Sequence, residues 1–428
     1  MSQPSPTPTV RNHLIDLARI ASVVIVVIFH TLLWVISLRD SRISVDPWAP
    51  GPGWWFASWF FASIPVFFLA AGFANTVIVD GSRARGITWS RYLVERGTRL
   101  AGPLTLFMAV FALLSSLPAW FGALDPAVSL SRQFAQLLWF LVVYLGLLLT
   151  APVLVAAFDR FGGWSLLPLV ALAVGVDVIV RHTGQFEWQW LNLAVIWPLA
   201  HQWGVAYHRG WFRGWPVWGS LLVLVGCAAL LVAMVFGLGY PPAAVAWADI
   251  LVANLQPPTV AVLVLGLAQA SALGLAERFG LARSLPTRLV GPVHVANALL
   301  FTVYLWHIPV IVLAGSLLAG GSLLWPAAAG LLLSQPVFLV LVLTVTVGLV
   351  PQIGRLEWRL IPQVAAEAPG RGLAPVAFVV LWAGVAAVWK CGAVVHPGAL
   401  ASTVSVVLLF VGITLVAGAA RSPLDTTV

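Results

Sequence analysis

Three ionisable residues, Asp16, Arg19 and His30, lie within the first long apolar segment of the chain. Arg19 and His30 are eleven residues apart. An α-helix would therefore place them about 20° out of line and about 16 Å apart along its axis. Asp16 precedes Arg19 by one turn and can form an ion pair with it. Because an imidazole can take the proton from an attacking hydroxyl, we predict that His30 is the catalytic base of a site that includes Arg19 and Asp16.

Later apolar segments carry further candidates for the same site, namely Trp139, His201, Tyr304 and His307. His307 lies in the middle of its segment, one turn after Tyr304, and we expect it to reach about the depth of His30. Ionisable groups inside a membrane span are costly and mark function by default. In the alternative interpretation, each histidine is a packed polar residue that is hydrogen-bonded between helices, and Asp16 and Arg19 form an ion pair at the membrane surface.

Three arginines, Arg91, Arg96 and Arg99, lie between the second and third apolar segments. Arg96 and Arg99 are three residues apart, a spacing that places both on one face of a helix. Beside Arg91 they could bind an anion with several charges. Basic residues that only anchor a cytoplasmic loop would give the same pattern, so the residues alone leave both interpretations open.

The composition identifies the elements that must position these residues. Of the 428 residues, 61% are hydrophobic and 8% are charged, whereas soluble domains carry about 25% charged residues. A chain this apolar must be solvated largely by lipid. We therefore predict an all-α fold, a polytopic transmembrane helix bundle of about twelve helices. Apolar runs that are long enough to span a bilayer occur at residues 15–38, 55–79, 100–119, 134–157, 164–181, 189–207, 215–238, 256–275, 294–316, 322–350, 373–394 and 399–420.

The basic residues predict how the bundle is oriented. Sixteen of the 22 basic residues fall in alternate loops, beginning with the amino-terminal tail, and five fall in the other loops. By the positive-inside rule, this predicts a multi-pass protein of the plasma membrane with both termini in the cytoplasm. The net charge of +8 is scattered through short loops, which argues against a nucleic-acid partner. The two cysteines show no metal-binding spacing, and we expect no metal.

Five short motifs, in the expected order, resemble the acyltransferase-3 family of membrane acyltransferases. They are the Arg-x10-His pair of Arg19 and His30, the Pro-x-Phe-Phe-x-x-x-Gly-Phe segment at 65–73, the Arg-x-x-Arg-Leu-x-x-Pro stretch at 96–103, Trp139-Phe140-Leu141, and the segment Tyr304-Leu-Trp-His-Ile-Pro309. The resemblance covers residues from about 12 to about 350. Ala18 and Ala71 stand where family members usually have Gly and often have Ser, respectively; both are exchanges between small residues.

The resemblance implies a domain organisation and a function. The chain divides into a disordered cytoplasmic tail (1–10), an acyltransferase-like membrane domain (11–350), a cytoplasmic loop (351–372), and a transmembrane hairpin with a tail (373–428). The hairpin lies beyond the family's ten-helix core. Members move an acyl group, often acetyl, from cytoplasmic acyl-CoA to a hydroxyl of a glycan, a lipid or a small antibiotic-like molecule.

Under this interpretation the donor phosphates are bound by arginines, whose forked donors match phosphate oxygens. We assign donor binding to Arg91, Arg96 and Arg99, and expect Arg19 to converge with Arg96 and Arg99 on the phosphates. We assign substrate binding to Trp139, Tyr304, His307 and His201. Two other functions fit the same apolar chain. It could be a transporter, although it lacks the two-fold repeat expected of many transporters. It could also be the membrane part of a partner complex, with no chemistry of its own.

Overall fold

A computed structural model describes residues 12–365 and 373–421. Within these residues the fold is the predicted all-α bundle, because a backbone in lipid must satisfy its hydrogen bonds within each helix. The elements, in chain order, are α1 (His13–Leu32), β1 (Trp34–Arg39), β2 (Arg42–Pro47), α2 (Pro52–Phe61), α3 (Ile64–Ala84), α4 (Trp89–Trp120), α5 (Leu124–Ala135), α6 (Trp139–Phe161), α7 (Leu167–Thr183), α8 (Leu193–His208), α9 (Trp211–Gly214), α10 (Val217–Phe236), α11 (Val260–Arg278), α12 (Thr287–Leu324), α13 (Ala329–Leu332), α14 (Gln335–Arg359), α15 (Leu373–Cys391) and α16 (Leu400–Ala420).

The described helices confirm a polytopic membrane protein. Ten helical segments are long and apolar enough to cross a membrane, and one of them, Leu124–Thr183, contains both α6 and α7. Each of the twelve predicted spans overlaps a separate helix. The helix α8 has 16 residues, fewer than the roughly 20 that a full crossing needs.

Several predicted boundaries are wrong. The first span, 15–38, ends early because α1 stops at Leu32 and the chain turns into the antiparallel hairpin β1–β2. Asp40 and Ser41 form its turn, both with positive φ, as a two-residue hairpin loop requires. The tenth span, 322–350, begins too early, since α14 starts at Gln335. The loop predicted at 351–372 also begins too early, because α14 continues to Arg359. The predicted tail 1–10 lies outside the described residues.

The bundle has two ends, which we name by what they contain. The terminal side holds the first and last described residues, and there Asn12 donates to Glu277 at the end of α11 (3.2 Å). The hairpin side holds β1–β2 and the irregular segment 237–259. On that side the backbone N–H of Gly51 donates to Asp249 (2.7 Å). These contacts join distant parts of the chain at each end.

Close packing of α3 against α8 depends on two glycines. A Cβ atom on Gly72 would lie 1.9 Å from the backbone oxygen of His201, and one on Gly204 would lie 1.9 Å from the backbone oxygen of Leu69. Small residues at such crossings let two backbones approach within a membrane. The glycine of the motif at 65–73 is therefore explained by packing, and the α3–α8 contact fixes the frame that surrounds the site.

Candidate active site

A cavity of about 270 Å³ opens among α1, α3, α6 and α12. It lies toward the hairpin side, where Val245, Ala246, Leu255 and Gln256 of segment 237–259 form part of its wall. Four of the residues predicted from the sequence line it together, although they come from three different helices: His30, Trp139, Tyr304 and His307.

The two histidines of the cavity face each other across α1 and α12. Their ring centroids are 5.0 Å apart. The His30 Nδ1 lies 2.8 Å from the backbone oxygen of Val26, and the His307 Nδ1 lies 2.6 Å from that of Tyr304. Because a carbonyl can only accept, each Nδ1 carries a proton and each neutral ring keeps its lone pair on Nε2.

These lone pairs define what the cavity can do. The Nε2 of His307 is buried and has no hydrogen-bond partner among the described residues. A buried acceptor without a partner is costly, and a ligand with an O–H or N–H donor would satisfy it. Two imidazoles in this state can bind a hydroxyl and take its proton when it attacks an electrophile.

Aromatic side chains shape the walls of the cavity. The Tyr304 hydroxyl donates to the backbone oxygen of Leu137 (2.7 Å), and its ring centroid lies 4.9 Å from that of Phe140. Trp139, which is buried, contacts Trp197 with a centroid separation of 5.7 Å. The hydrogen bond to Leu137 fixes the Tyr304 side chain beside the His307 ring.

His201 is placed elsewhere. It is fully buried where α3 and α8 cross, and the Asn75 amide lies 3.1 Å from its Nε2. It does not line the cavity that contains His30. Its surroundings match the alternative interpretation, a histidine packed between helices. Within the described residues, no contact of His201 supports the substrate-binding role predicted for it.

The predicted donor residues lie on two helices. Arg96 and Arg99 lie three residues apart on α4. Arg99 is exposed, whereas the Nε of Arg96 is buried and has no partner among the described residues. The Nε of Arg19, on α1, is in the same state. Arg91 pairs with Glu95 (3.1 Å). The ion pairs within residues 12–365 and 373–421 do not include one between Asp16 and Arg19.

The helix that carries Arg19 does not pack directly against the helix that carries Arg96 and Arg99. The helices α12 and α14 each pack against both α1 and α4, whereas α1 and α4 do not pack extensively on each other. The described contacts therefore do not bring Arg19 directly onto the α4 arginines, and a donor site formed by Arg19, Arg96 and Arg99 stays a prediction.

Two buried carboxylates escaped the sequence analysis. Glu357 on α14 is fully buried and accepts hydrogen bonds from the Thr302 hydroxyl (2.5 Å) and the Trp306 indole (2.9 Å) of α12. Trp306 immediately precedes His307, so Glu357 fixes the helical turn that carries this histidine. A search for charges inside apolar runs missed Glu357, because the tenth predicted run ends at residue 350 and Glu357 lies between Arg355 and Arg359.

Asp177 on α7 is the second buried carboxylate, and it holds segment 237–259. One oxygen accepts from Gln189 and Asn192 at 2.7 and 2.8 Å. The other accepts from the Tyr240 hydroxyl and the backbone N–H of Val260, both at 2.8 Å. Burial, together with the neighbouring Asp177 charge, raises the pKa of Tyr240, so its hydroxyl stays a donor. Asp177 thus anchors both ends of the segment that covers the cavity.

The fold and the site together define a class of protein. It is a multi-pass membrane protein with a histidine pair in a cavity inside the bundle and arginines on the terminal side. Within the described residues, no three His, Cys, Asp or Glu side chains are grouped as metal ligands.

Comparison with known families gives the same class more specifically. Residues 12–350 match the acyltransferase-3 family, described as an acyltransferase domain, and the chain belongs to this family. It is therefore a membrane transferase that acts on acyl groups, which confirms the resemblance seen in the sequence motifs. No curated protein and no solved structure matches the chain.

Proposed function

We propose that the protein is an O-acyltransferase that moves an acyl group, acetyl in the simplest case, from cytoplasmic acyl-CoA to a hydroxyl of a glycan, a lipid or a small molecule. The observation that carries this proposal is the pair of Nε2 lone pairs of His30 and His307 in one cavity. A ligand with a hydroxyl donor would satisfy these two acceptors. Membership of an acyltransferase family supports an enzyme over the transporter and partner-complex alternatives.

The proposed reaction assigns His30 as the base. As the acceptor oxygen attacks the thioester carbonyl, its proton passes to the His30 Nε2 and a C–O bond forms. The C–S bond then breaks, and the CoA sulfur takes the proton back from the imidazolium. The products are an ester and free CoA, and His30 returns to its neutral state. His307, 5.0 Å away, is assigned to orient the acceptor hydroxyl.

The donor is assigned to the terminal side. Arg19, Arg96 and Arg99, with Arg91 nearby, would bind the CoA phosphates, and the pantetheine arm would reach His30 across the roughly 16 Å that separates it from Arg19. Trp139 and Tyr304 would line the acceptor's path. In the cell, this proposal places the protein in the plasma membrane with both termini in the cytoplasm.

The test is an acyl-transfer assay. Purified protein is incubated with radiolabelled acetyl-CoA and a cell-envelope extract. We expect label to pass to a component of the extract through a linkage that mild alkali cleaves, as it cleaves esters. An alkali-stable amide product would contradict O-acylation, and absence of any transfer from acetyl-CoA would contradict the proposed donor.

A further inference from the structure

The helix α15 belongs to the C-terminal hairpin, which lies outside the family match at 12–350. With α6 and α8 it encloses a groove of about 700 Å³. The groove has one wall in common with the active-site cavity, because Trp139 lines both. Apart from Trp139, no residue of this groove has a role in the proposed acyl transfer, which leaves the residues at its mouth unexplained.

The depth and lining of the groove match one leaflet of a bilayer. Its residues on α6 run from Trp139 to Thr150, which is about 16 Å along a helix axis and roughly half of a ~30 Å hydrocarbon layer. This wall is mostly apolar and includes Val142 and Leu147. On the opposite side, the Trp382 indole donates to the backbone oxygen of Val142 (2.9 Å), so this wall is fixed.

The mouth of the groove, on the hairpin side, carries a positive charge. Lys390 is exposed, and its Nζ lies 3.8 Å from the Trp389 ring centroid and 5.1 Å from that of Trp190. The ion pairs among the described residues do not include Lys390, nor Glu187 at the same mouth. Aromatic faces position an ammonium group without neutralising it, so Lys390 remains available to an anion.

We propose that this groove binds an anionic phospholipid. The lipid phosphate contacts Lys390, on the side away from Glu187, and one hydrocarbon chain runs along α6 past Val142 and Leu147. A free anion would leave the apolar wall uncovered, and an uncharged lipid would leave the ammonium group without a partner. The proposal concerns binding alone and does not depend on acyl transfer.

The experiment measures lipid retention by native mass spectrometry of the full chain in detergent. The probes are phosphatidylglycerol, an anionic lipid, and phosphatidylcholine, a zwitterionic lipid with the same chains. We expect a preference for phosphatidylglycerol that falls about tenfold in Lys390→Ala, the size of one charge-assisted contact, and that persists in Lys390→Arg. Arg42→Ala, which removes an exposed charge on the same side, is the matched control.

Three results would overturn the proposal. The first is equal retention of the two lipids by the wild-type chain. The second is an equal loss of preference in Lys390→Ala and Arg42→Ala, which would indicate a diffuse surface charge. The third is displacement of phosphatidylglycerol by millimolar glycerol 3-phosphate, because the site would then recognise the headgroup without the chain.

Discussion

At the scale of single residues, hydrogen bonds hold the His30 and His307 rings in the same way. Each Nδ1 is bound to a carbonyl of the preceding turn, Val26 for His30 and Tyr304 for His307. This arrangement orients both rings, and it leaves the Nε2 of each of these cavity-lining histidines as an acceptor. The pair can therefore bind a neutral hydroxyl donor and accept its proton without any rearrangement of the helices.

The donor site gives a prediction at the same scale. Arg96→Ala and Arg99→Ala should each weaken acyl-CoA binding by about ten- to a hundredfold, because a charge-assisted contact contributes about 1.5–3 kcal/mol. The loss should be smaller at high salt, which screens exposed charges. Calorimetry with the purified protein measures both effects.

Arg283→Ala is the control for the donor site. Arg283 is exposed on the terminal side. Arg278 is less suitable, because it donates to the backbone oxygen of Trp215 (2.6 Å) and its replacement would disturb local structure. If Arg283→Ala weakens binding as much as the α4 substitutions do, the terminal side is a diffuse basic surface and the assignment of a defined phosphate site is wrong.

The sequence could predict that His30 and His307 belong to one site, because depth in the membrane follows from position along a helix. Helical periodicity and the direction of each span placed His30 and His307 at the same depth, and the structure brings them together. Periodicity could not show that His201 faces α3, because the crossing depends on the glycines of two distant helices. The partners of Asp177 come from residues 189, 192, 240 and 260, and only the tertiary fold makes them neighbours.

At the scale of elements, the α3–α8 crossing sets the shape of the bundle around the cavity. Gly72→Ala should destabilise the protein, because the added Cβ would lie 1.9 Å from the His201 backbone oxygen and force the helices apart. Gly226→Ala on α10 is the matched control, since its Cβ would meet nothing within 4 Å. Thermal unfolding in detergent should show a clearly lower midpoint for Gly72→Ala only; equal midpoints would mean that α3 and α8 are not packed this closely.

Asp177 controls a different element, the segment 237–259 over the cavity. In Asp177→Asn one oxygen becomes an amide N–H₂ that faces donors, so two of the four hydrogen bonds are lost, at about 1.5–3 kcal/mol each. We expect faster amide hydrogen exchange in segment 237–259, with α3 and α8 unchanged. Asp125→Asn, at an exposed site, should leave exchange as in the wild type. Unchanged protection in Asp177→Asn would show that the segment is held by other contacts.

The β-hairpin shows what sequence patterns missed at this scale. The residues Trp34–Leu38 continue the apolar run of α1, with Ser37 as their one polar residue, so hydrophobicity alone extended the helix. The β-branched pair Val35 and Ile36 and the Asp40–Ser41 turn favour a strand. Only the residues typical of strands and turns, and not hydrophobicity, indicate where the apolar helix ends.

At the scale of the whole molecule, the twelve predicted spans overlap twelve helices, and the first and last described residues lie on the same side of the bundle. There the backbone N–H of Ala365 donates to the oxygen of Ala420 (2.8 Å). The excess of arginine in the loops of this side predicts that it is cytoplasmic. The C-terminal hairpin packs on α4, α5 and α6 and so completes the wall of the bundle beside Trp139.

The orientation can be measured by cysteine labelling. Cys227 and Cys391 are first replaced by serine, and a single cysteine is introduced by Ser41→Cys or Arg421→Cys. We expect a membrane-impermeant maleimide to label position 41 in intact cells, and position 421 only after the membrane is permeabilised. The reverse pattern would invert the topology and place the predicted donor arginines outside the cytoplasm.

The central claim is that His30 performs the proton transfer of acyl transfer. The most direct measurement compares acetyl transfer and acetyl-CoA affinity in His30→Ala and in His294→Ala, the same change at an exposed position of α12. We predict that His30→Ala lowers turnover about 10²- to 10⁴-fold with donor affinity unchanged, and that His294→Ala behaves like the wild type. Near-normal turnover in His30→Ala would contradict the account.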